Sequence, residues 1–303
     1  MKAWISHREG LPFMGAIPEG VDVEVFDPRQ DYPSDPATVD FWVPTYMGEE
    51  WATRPLAAMT GLKVVQLLSA GAEIWVGAVP EGVVLCNGKG AHTGSTAEWA
   101  VMAMLASLRR LPALLRAQSE NRWAPETGET LAGKKVLIVG AGDIGTAIAH
   151  RVAAFDAEPV LVARRARDGV HDSSQLETLL PQADVVVIMT PLTEATAGMV
   201  DAAFLSRMRD GALLVNAARG GVVDTTALVT EAGTGRIRAA LDVTDPEPLP
   251  AEHPLWSMPN VLITPHVGGN IEGALVNMYR VAGEQLQRYA AGEPLQNVVS
   301  DGY

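Results

Sequence analysis

Six short apolar runs restrict the fold of this chain more than any other feature. They are KVLIVG (135–140), VLVA (160–163), DVVVIM (184–189), ALLVNA (212–217), RAALDV (238–243) and NVLITP (260–265), separated by segments long enough for helices. A strand with one face in water alternates apolar and polar residues. These runs do not alternate, so both of their faces must be covered. Strands that alternate with helices in this way predict a parallel sheet in an α/β fold. An earlier, less regular series, DVEVF (22–26), KVVQLL (63–68) and GVVLC (82–86), is broken by Gly and Pro and predicts a second, smaller lobe. Between the two series lies TAEWAVMAMLASLRRLPALLRAQ (96–118), apolar nearly all round, which predicts one long helix buried between lobes or in a subunit contact. A last helix is expected over 270–292, followed by a tail that returns to the first lobe. The length of 303 residues and 48% hydrophobic content suit two lobes with real cores.

The first of the six runs leads directly into GAGDIG. Gly140, Gly142 and Gly145 form G-x-G-x-x-G between a strand and a helix, the context in which the pattern carries meaning. The first glycine permits the tight turn, the second lets a pyrophosphate reach the backbone, and the third allows close helix-to-strand packing. The helix N-terminus then turns free N–H groups towards the phosphates. A purely structural glycine turn is the alternative, and the strand that follows on schedule favours dinucleotide binding. At the end of that next strand an acidic residue would normally accept the ribose hydroxyls. Here the position falls near Ala163 and is followed by Arg164, Arg165 and Arg167. Such a turn suits the 2′-phosphate of NADP, which arginine can clamp bidentately. A solvated basic turn is the simpler alternative, and Asp168 could stand in for the missing acid.

The formal net charge of −13 makes that basic turn unusual and argues against nucleic-acid or membrane-surface partners, which need a broad basic face. An anionic substrate must therefore be met by local arginines or backbone N–H groups. Cys86 is the only cysteine, so no intrachain disulfide can form, and a reducing compartment is expected. The N-terminal stretch lacks the apolar core of a signal peptide, and no apolar run approaches the roughly 18 residues of a membrane span. A cytoplasmic protein is expected.

Ligands of open α/β sheets bind beyond the carboxyl ends of the strands. Three residues lie just after such ends: Arg219 after ALLVNA, Glu247 after RAALDV and His266 after NVLITP. Together they could anchor a carboxylate, orient an imidazole and move a proton, as reduction of a 2-keto acid requires. Each taken singly also suits a structural role: a surface turn before Gly-Gly, a rigid loop between prolines, a helix cap. No H-E-x-x-H, paired C-x-x-C or G-x-S-x-G is present, and GKG at 88–90 lacks P-loop spacing, so metal hydrolysis and serine esterase chemistry have no support and no metal site is expected.

At this point the chain resembles the D-isomer-specific 2-hydroxyacid dehydrogenases. The likeness covers nearly all of it through VGAGDIG, TPLTEATAGMVD (190–201), VNAARGGVVD (215–224), LDVTDPEPLP (241–250) and HPLWSMPNVLITPHVGG (253–269), in that order. The resemblance implies a Rossmann-type, doubly wound parallel-sheet cofactor domain (99–271) inserted into a smaller flavodoxin-like α/β substrate domain (1–98 plus 272–303). It implies that Arg219 binds the substrate carboxylate and keto oxygen, that His266 donates the proton, and that Glu247 hydrogen-bonds His266. Asp242 would contact the nicotinamide carboxamide and Thr190-Pro191 would line the cofactor. Asp143, Ile144, Ala217 and Gly268 would join the glycines and arginines in holding it. LLSAGAE (67–73) looks like the substrate loop, with the N–H groups of Ala70 and Gly71 meeting the carboxylate.

Active members are similar in being homodimers, paired through the cofactor lobe and the long connecting helix. The implied reaction is reduction of a small keto acid such as glyoxylate or hydroxypyruvate to the D-2-hydroxy acid, with hydride from NADPH. A non-catalytic dinucleotide sensor of the same fold, and an NAD-preferring enzyme for a bulkier keto acid, stay open. NADP-type members carry Arg, then Ser or Thr, then a later Arg. Arg164 and Arg167 match, whereas Arg165 replaces the hydroxyl residue, which leaves open which two arginines hold the phosphate. The absence of a lysine at Ser69-Ala70-Gly71 speaks against the phosphite-oxidising branch, and the end at residue 303 against a regulated phosphoglycerate dehydrogenase. Tyr46, Met47 and Trp51 are expected to shape the pocket.

Overall fold

The computed structural model describes residues 1–46 and 50–299, so Met47 lies outside the described residues. The chain forms two compact units, Met1–His92 with Glu272–Tyr303, and Thr93–Ile271. The first division thus comes after His92 and not after residue 98. Thr93 already opens helix α1 (Thr93–Leu108), and a helix that packs as one rod is not divided in its first turn.

The larger unit is built on a seven-stranded parallel sheet. Its strands are β6 (Lys135–Val139), β7 (Glu158–Ala163), β8 (Val170–Asp172), β9 (Val185–Ile188), β10 (Leu213–Asn216), β11 (Arg238–Leu241) and β12 (Val261–Ile263), in the order β12-β11-β10-β9-β6-β7-β8. β9, β10 and β11 are buried at every residue. Along β6, Leu137 and Val139 enter one apolar cluster with Val186, Ile188 and Leu214. Val136 and Ile138 enter the opposite one with Val185, Val187, Leu213 and Val215. This two-residue alternation between two cores explains why the runs read as uniformly apolar. α3 (Asp143–Ala153) and α1 pack on the second of these faces. α5 (Ala202–Arg207) and α6 (Thr225–Gly233) serve the first, beyond the single turn α4 (Leu176–Leu179).

The expected single helix over 96–118 is two helices. α1 ends at Leu108 and α2 spans Leu111–Ser119, with Arg110 left-handed at φ 58°. Pro112 is the cause: in a continuous helix its ring would strike the carbonyl of Leu108 and its missing N–H would leave that carbonyl unpaired, whereas the first turn of a new helix accepts proline. Among the described residues no helix is long and apolar enough to cross a membrane.

The smaller unit holds a five-stranded parallel sheet, ordered β2-β1-β3-β4-β5, from β1 (Lys2–Ile5), β2 (Asp22–Val25), β3 (Phe41–Val43), β4 (Val64–Gln66) and β5 (Val84–Cys86). This is the flavodoxin-like order. Ala3, Ile5, Phe41 and Val43 face one core with Tyr279, Ala282 and Leu286 of helix α7 (Ala274–Ala290), while Trp4 and Trp42 face the other. β1, β3 and β8 escaped the reading of the sequence. They are only three or four residues long; Asp40 and Pro44 bound β3, and β8 itself contains His171 and Asp172, so no apolar run forms.

Candidate active site

Strand order reverses in the larger sheet between β6 and β9, and the glycine turn lies at the carboxyl end of β6. Gly140 takes φ 121°, and a side chain there would strike the carbonyl of Met189; one at Gly145 would strike the carbonyl of Gly140. A Cβ at Gly142 would meet nothing. That open space above the start of α3 is where a pyrophosphate can come up to the backbone. Thr190, just after β9, has a buried hydroxyl with no partner among the described residues, a polar atom that a ligand could satisfy. Ile144 is half-buried on the first turn of α3. Asp143 directs its carboxylate away from the turn, to the Thr93 hydroxyl at 2.5 Å.

β7 ends at Ala163, with no acidic residue there. Arg164 and Arg165 are exposed, and among the described residues neither side chain has a partner. Arg167 differs: its Nη2 donates to the Ala141 carbonyl at 2.5 Å, which ties the basic turn to the glycine turn. Asp168 lies in the reversal formed by mutual backbone bonds of Arg167 and Val170, beyond the strand end. The residues therefore fit a dinucleotide: a glycine cradle, an orphaned hydroxyl, and two cations beyond the end of β7 without a partner among the described residues.

Three further strand ends in the same unit carry Arg219, Glu247 and His266. Asn216, the last residue of β10, is buried and shapes the turn after it. Its Nδ2 donates to the Arg219 carbonyl at 2.9 Å and its Oδ1 accepts from the Ala218 N–H at 3.1 Å. Half-buried Ala217 begins this turn. A side chain at Gly220 would strike the Thr244 carbonyl, so only glycine lets this turn pack on the loop after β11. The Arg219 Nη1 reaches the Ala218 carbonyl at 2.6 Å. Glu247, between two prolines on the β11 loop, places Oε1 at 2.6 Å from His266 Nδ1, with 41% of its side chain and 31% of the histidine's exposed. Burial works to raise the Glu247 pKa, but the hydrogen bond and charge of His266, the Thr244 N–H and the charge of Arg219 outweigh it and hold the carboxyl below its ordinary value. The three groups are therefore electrically coupled, and the carboxylate is ionised at neutral pH.

His266 takes the left-handed conformation, φ 53°, unusual for a residue with a side chain. Asp242 holds it there. Its backbone carbonyl accepts the His266 N–H at 2.7 Å, while its carboxylate accepts the Val267 N–H at 2.9 Å, the Gly268 N–H at 2.7 Å and the Thr264 hydroxyl at 2.6 Å. The Trp99 indole N–H in turn donates to Thr264 Oγ1 at 3.0 Å. Asp242 thus orders the histidine loop, in addition to any contact with a cofactor. Trp99 and Thr264 were missed in the sequence, although a tryptophan in a largely buried helix signals an indole N–H that needs a partner.

In the smaller unit, the 67–73 loop is fixed by its carbonyls. Ala70 O accepts from Asn87 Nδ2 at 3.0 Å, Ser69 O from the Gly88 N–H at 2.6 Å, and Leu68 O lies 3.0 Å from His92 Nε2, whose ring stacks on Tyr46. With the carbonyls taken up, the buried Gly71 N–H has no partner among the described residues. Trp51 lies under the Arg29 guanidinium, 6.0 Å from the ring centre.

Comparison with known proteins decides the family. Residues 101–268 match the family described as "D-isomer specific 2-hydroxyacid dehydrogenase, NAD binding domain". The chain belongs to the D-isomer specific 2-hydroxyacid dehydrogenases. It is 32% identical over 255 residues to a D-3-phosphoglycerate dehydrogenase of Archaeoglobus fulgidus, across 81% of this chain and 48% of that protein. It is 35% identical over 253 residues to a glyoxylate reductase of Thermofilum pendens, across 78% and 74%. A solved D-isomer specific 2-hydroxyacid dehydrogenase from Xanthobacter autotrophicus Py2, in complex with NADPH and MES, superposes with TM-score 0.84 at 29% identity over 100% of this chain and 99% of that one. The chain spans about half the length of the phosphoglycerate dehydrogenases it matches.

The depressed Glu247 pKa sets a pH dependence. Because the folded carboxyl releases its proton more readily than the unfolded one, its contribution to stability is present above the ordinary value of 4.5 and is lost as pH falls through the depressed value. Thermal unfolding of wild type and Glu247→Gln should differ most near neutrality and converge in acid below that range. A gap that stays constant down to pH 3 (about the lower end of carboxylate titration) would contradict the coupling.

Proposed function

We propose that this family member reduces a small 2-keto acid to the D-2-hydroxy acid with NADPH. The observation that carries the proposal is the 2.6 Å His266–Glu247 pair, coupled to Arg219 across three strand ends. Glu247, an anion at neutral pH, accepts from His266 Nδ1–H and fixes the orientation of the ring. That leaves Nε2–H of the protonated ring as the proton donor to the keto oxygen. Arg219 stabilises the negative charge that develops on that oxygen as the carbonyl carbon is reduced. Bound NADPH would supply the hydride for that carbon, so one carbonyl gains a hydride and a proton and becomes a secondary alcohol. Asp242 and Thr190 are candidates for the nicotinamide side, beside Pro191 and Gly268, and the turns of Gly140, Gly142 and Gly145 for the pyrophosphate. The Ala70–Gly71 loop of the smaller unit offers backbone N–H groups suited to a carboxylate.

Preference for NADPH is proposed from Arg164 and Arg165, which have no other partner and no acidic neighbour at the strand end. Arg167 braces the glycine turn and so serves either cofactor. The NADPH held by the Xanthobacter relative supports this assignment, and the Thermofilum glyoxylate reductase supports a small keto acid such as glyoxylate or hydroxypyruvate. We further propose a homodimer paired through α2 and the segment after it. Leu111 and Leu115 are exposed there and Trp123 is 99% exposed, an apolar surface that a second copy would cover.

Steady-state reduction of glyoxylate and hydroxypyruvate tests the site. His266→Ala and Arg219→Ala should each lose about 10²-fold or more in kcat/KM. A variant that keeps more than about a tenth of wild-type kcat/KM would remove that residue from the proposed role, and tight NADPH binding without turnover across a keto-acid panel would favour a sensor. Replacing Arg164 and Arg165 together with alanine should weaken NADPH at least about tenfold and leave NADH nearly unchanged; equal losses would return them to a solvated turn. Sedimentation should give a dimer for the wild-type chain and a shift towards monomer for Trp123→Asp. A monomeric wild type would reject the proposed pairing.

A further inference from the structure

We infer that Trp99 and Thr264 are positioning residues for His266, acting through the Asp242 carboxylate; the inference rests on His266 being the proton donor proposed above. Trp99 lies on α1, 6% exposed, in a cluster otherwise made of apolar residues. Its indole N–H is a donor only. Thr264 Oγ1 must therefore accept from Trp99, at 3.0 Å, and its single proton is directed to Asp242 Oδ1, at 2.6 Å. The same oxygen accepts the Val267 N–H and the other oxygen accepts the Gly268 N–H. The carboxylate, on a residue only 3% exposed, is thus held by three protein donors, one of which has its direction set by α1.

This arrangement places the reach of α1 directly at the histidine loop. His266 keeps its left-handed backbone because residues on both sides of it are pinned: Thr264 by its hydroxyl, Val267 and Gly268 by their N–H groups, all to Asp242. A buried carboxylate that loses a donor must find another, from water or by turning, and either movement releases the loop. Val267 of the loop also packs against the apolar cluster that contains Trp99. The ring at Glu247 depends on this support: a hydrogen bond of 2.6 Å tolerates little displacement of the imidazole.

Trp99→Phe keeps the aromatic bulk and removes the N–H. Thr264→Val removes the hydroxyl at constant shape, and Thr264→Ser keeps it. Loss of one well-placed hydrogen bond corresponds to about three- to tenfold. Trp99→Phe should lower kcat about threefold and Thr264→Val about tenfold. Thr264→Ser should restore the wild-type kcat. A readout independent of turnover is the NMR signal of the His266 ring, assigned by its loss in His266→Ala, which should shift and broaden in Thr264→Val and return in Thr264→Ser. Unchanged kcat and ring signal in Thr264→Val and Trp99→Phe would reduce both residues to core filling, as would a Thr264→Ser variant that behaves like Thr264→Val. If His266→Ala itself remained active, the proton-donor assignment would fail, whereas an inactive His266→Ala with normal Trp99→Phe and Thr264→Val would overturn only the positioning role.

Discussion

A parallel sheet buried on both faces is the constraint on which the larger unit depends. Because β6, β9, β10, β11 and β12 all run the same way, their carboxyl ends emerge at one edge, and the groups that follow each end are delivered there together. Gly140 follows β6, Thr190 follows β9, Arg219 follows β10, Asp242 and Glu247 follow β11, and His266 follows β12. Residues as far apart as 219 and 266 become neighbours through strand pairing alone. Apolar clusters above and below the sheet make that edge rigid, which the 2.6 Å contact between His266 and Glu247 requires.

Within this edge the division of labour among charges is physical. Glu247 and His266 are partly exposed and in contact, so solvent can reach both. Asp242 is buried and accepts three protein donors, so its carboxylate holds the loop. Two carboxylates on one strand-end loop thus take different roles because their surroundings differ. The arginines divide in the same way: Arg167 is engaged with the Ala141 carbonyl, while the exposed Arg164 and Arg165 side chains have no partner among the described residues.

Much of this was legible in the sequence. The six runs marked the strands because burial on both faces demands apolar residues at every position, and the glycine spacing marked the turn because only glycine tolerates its close approaches. What escaped had weaker local signals. β1, β3 and β8 were too short to show a period. The long apolar stretch over 96–118 hid a break at Arg110, since hydrophobicity records burial and not backbone continuity. Pro112 was the available signal.

Composition, periodicity and spacing determined the α/β class, the glycine cradle, the basic turn after β7 and the three strand-end residues Arg219, Glu247 and His266, because each is written in contiguous residues. The partnerships were decided only by the tertiary structure. That Asp242 secures the histidine loop, that Trp99 reaches it through Thr264, and that Arg167 turns back to the glycine turn depend on contacts between residues 22 to 165 positions apart. Such contacts leave no local period to read, because the hydrogen bond is set by the meeting of strand ends and a helix in space.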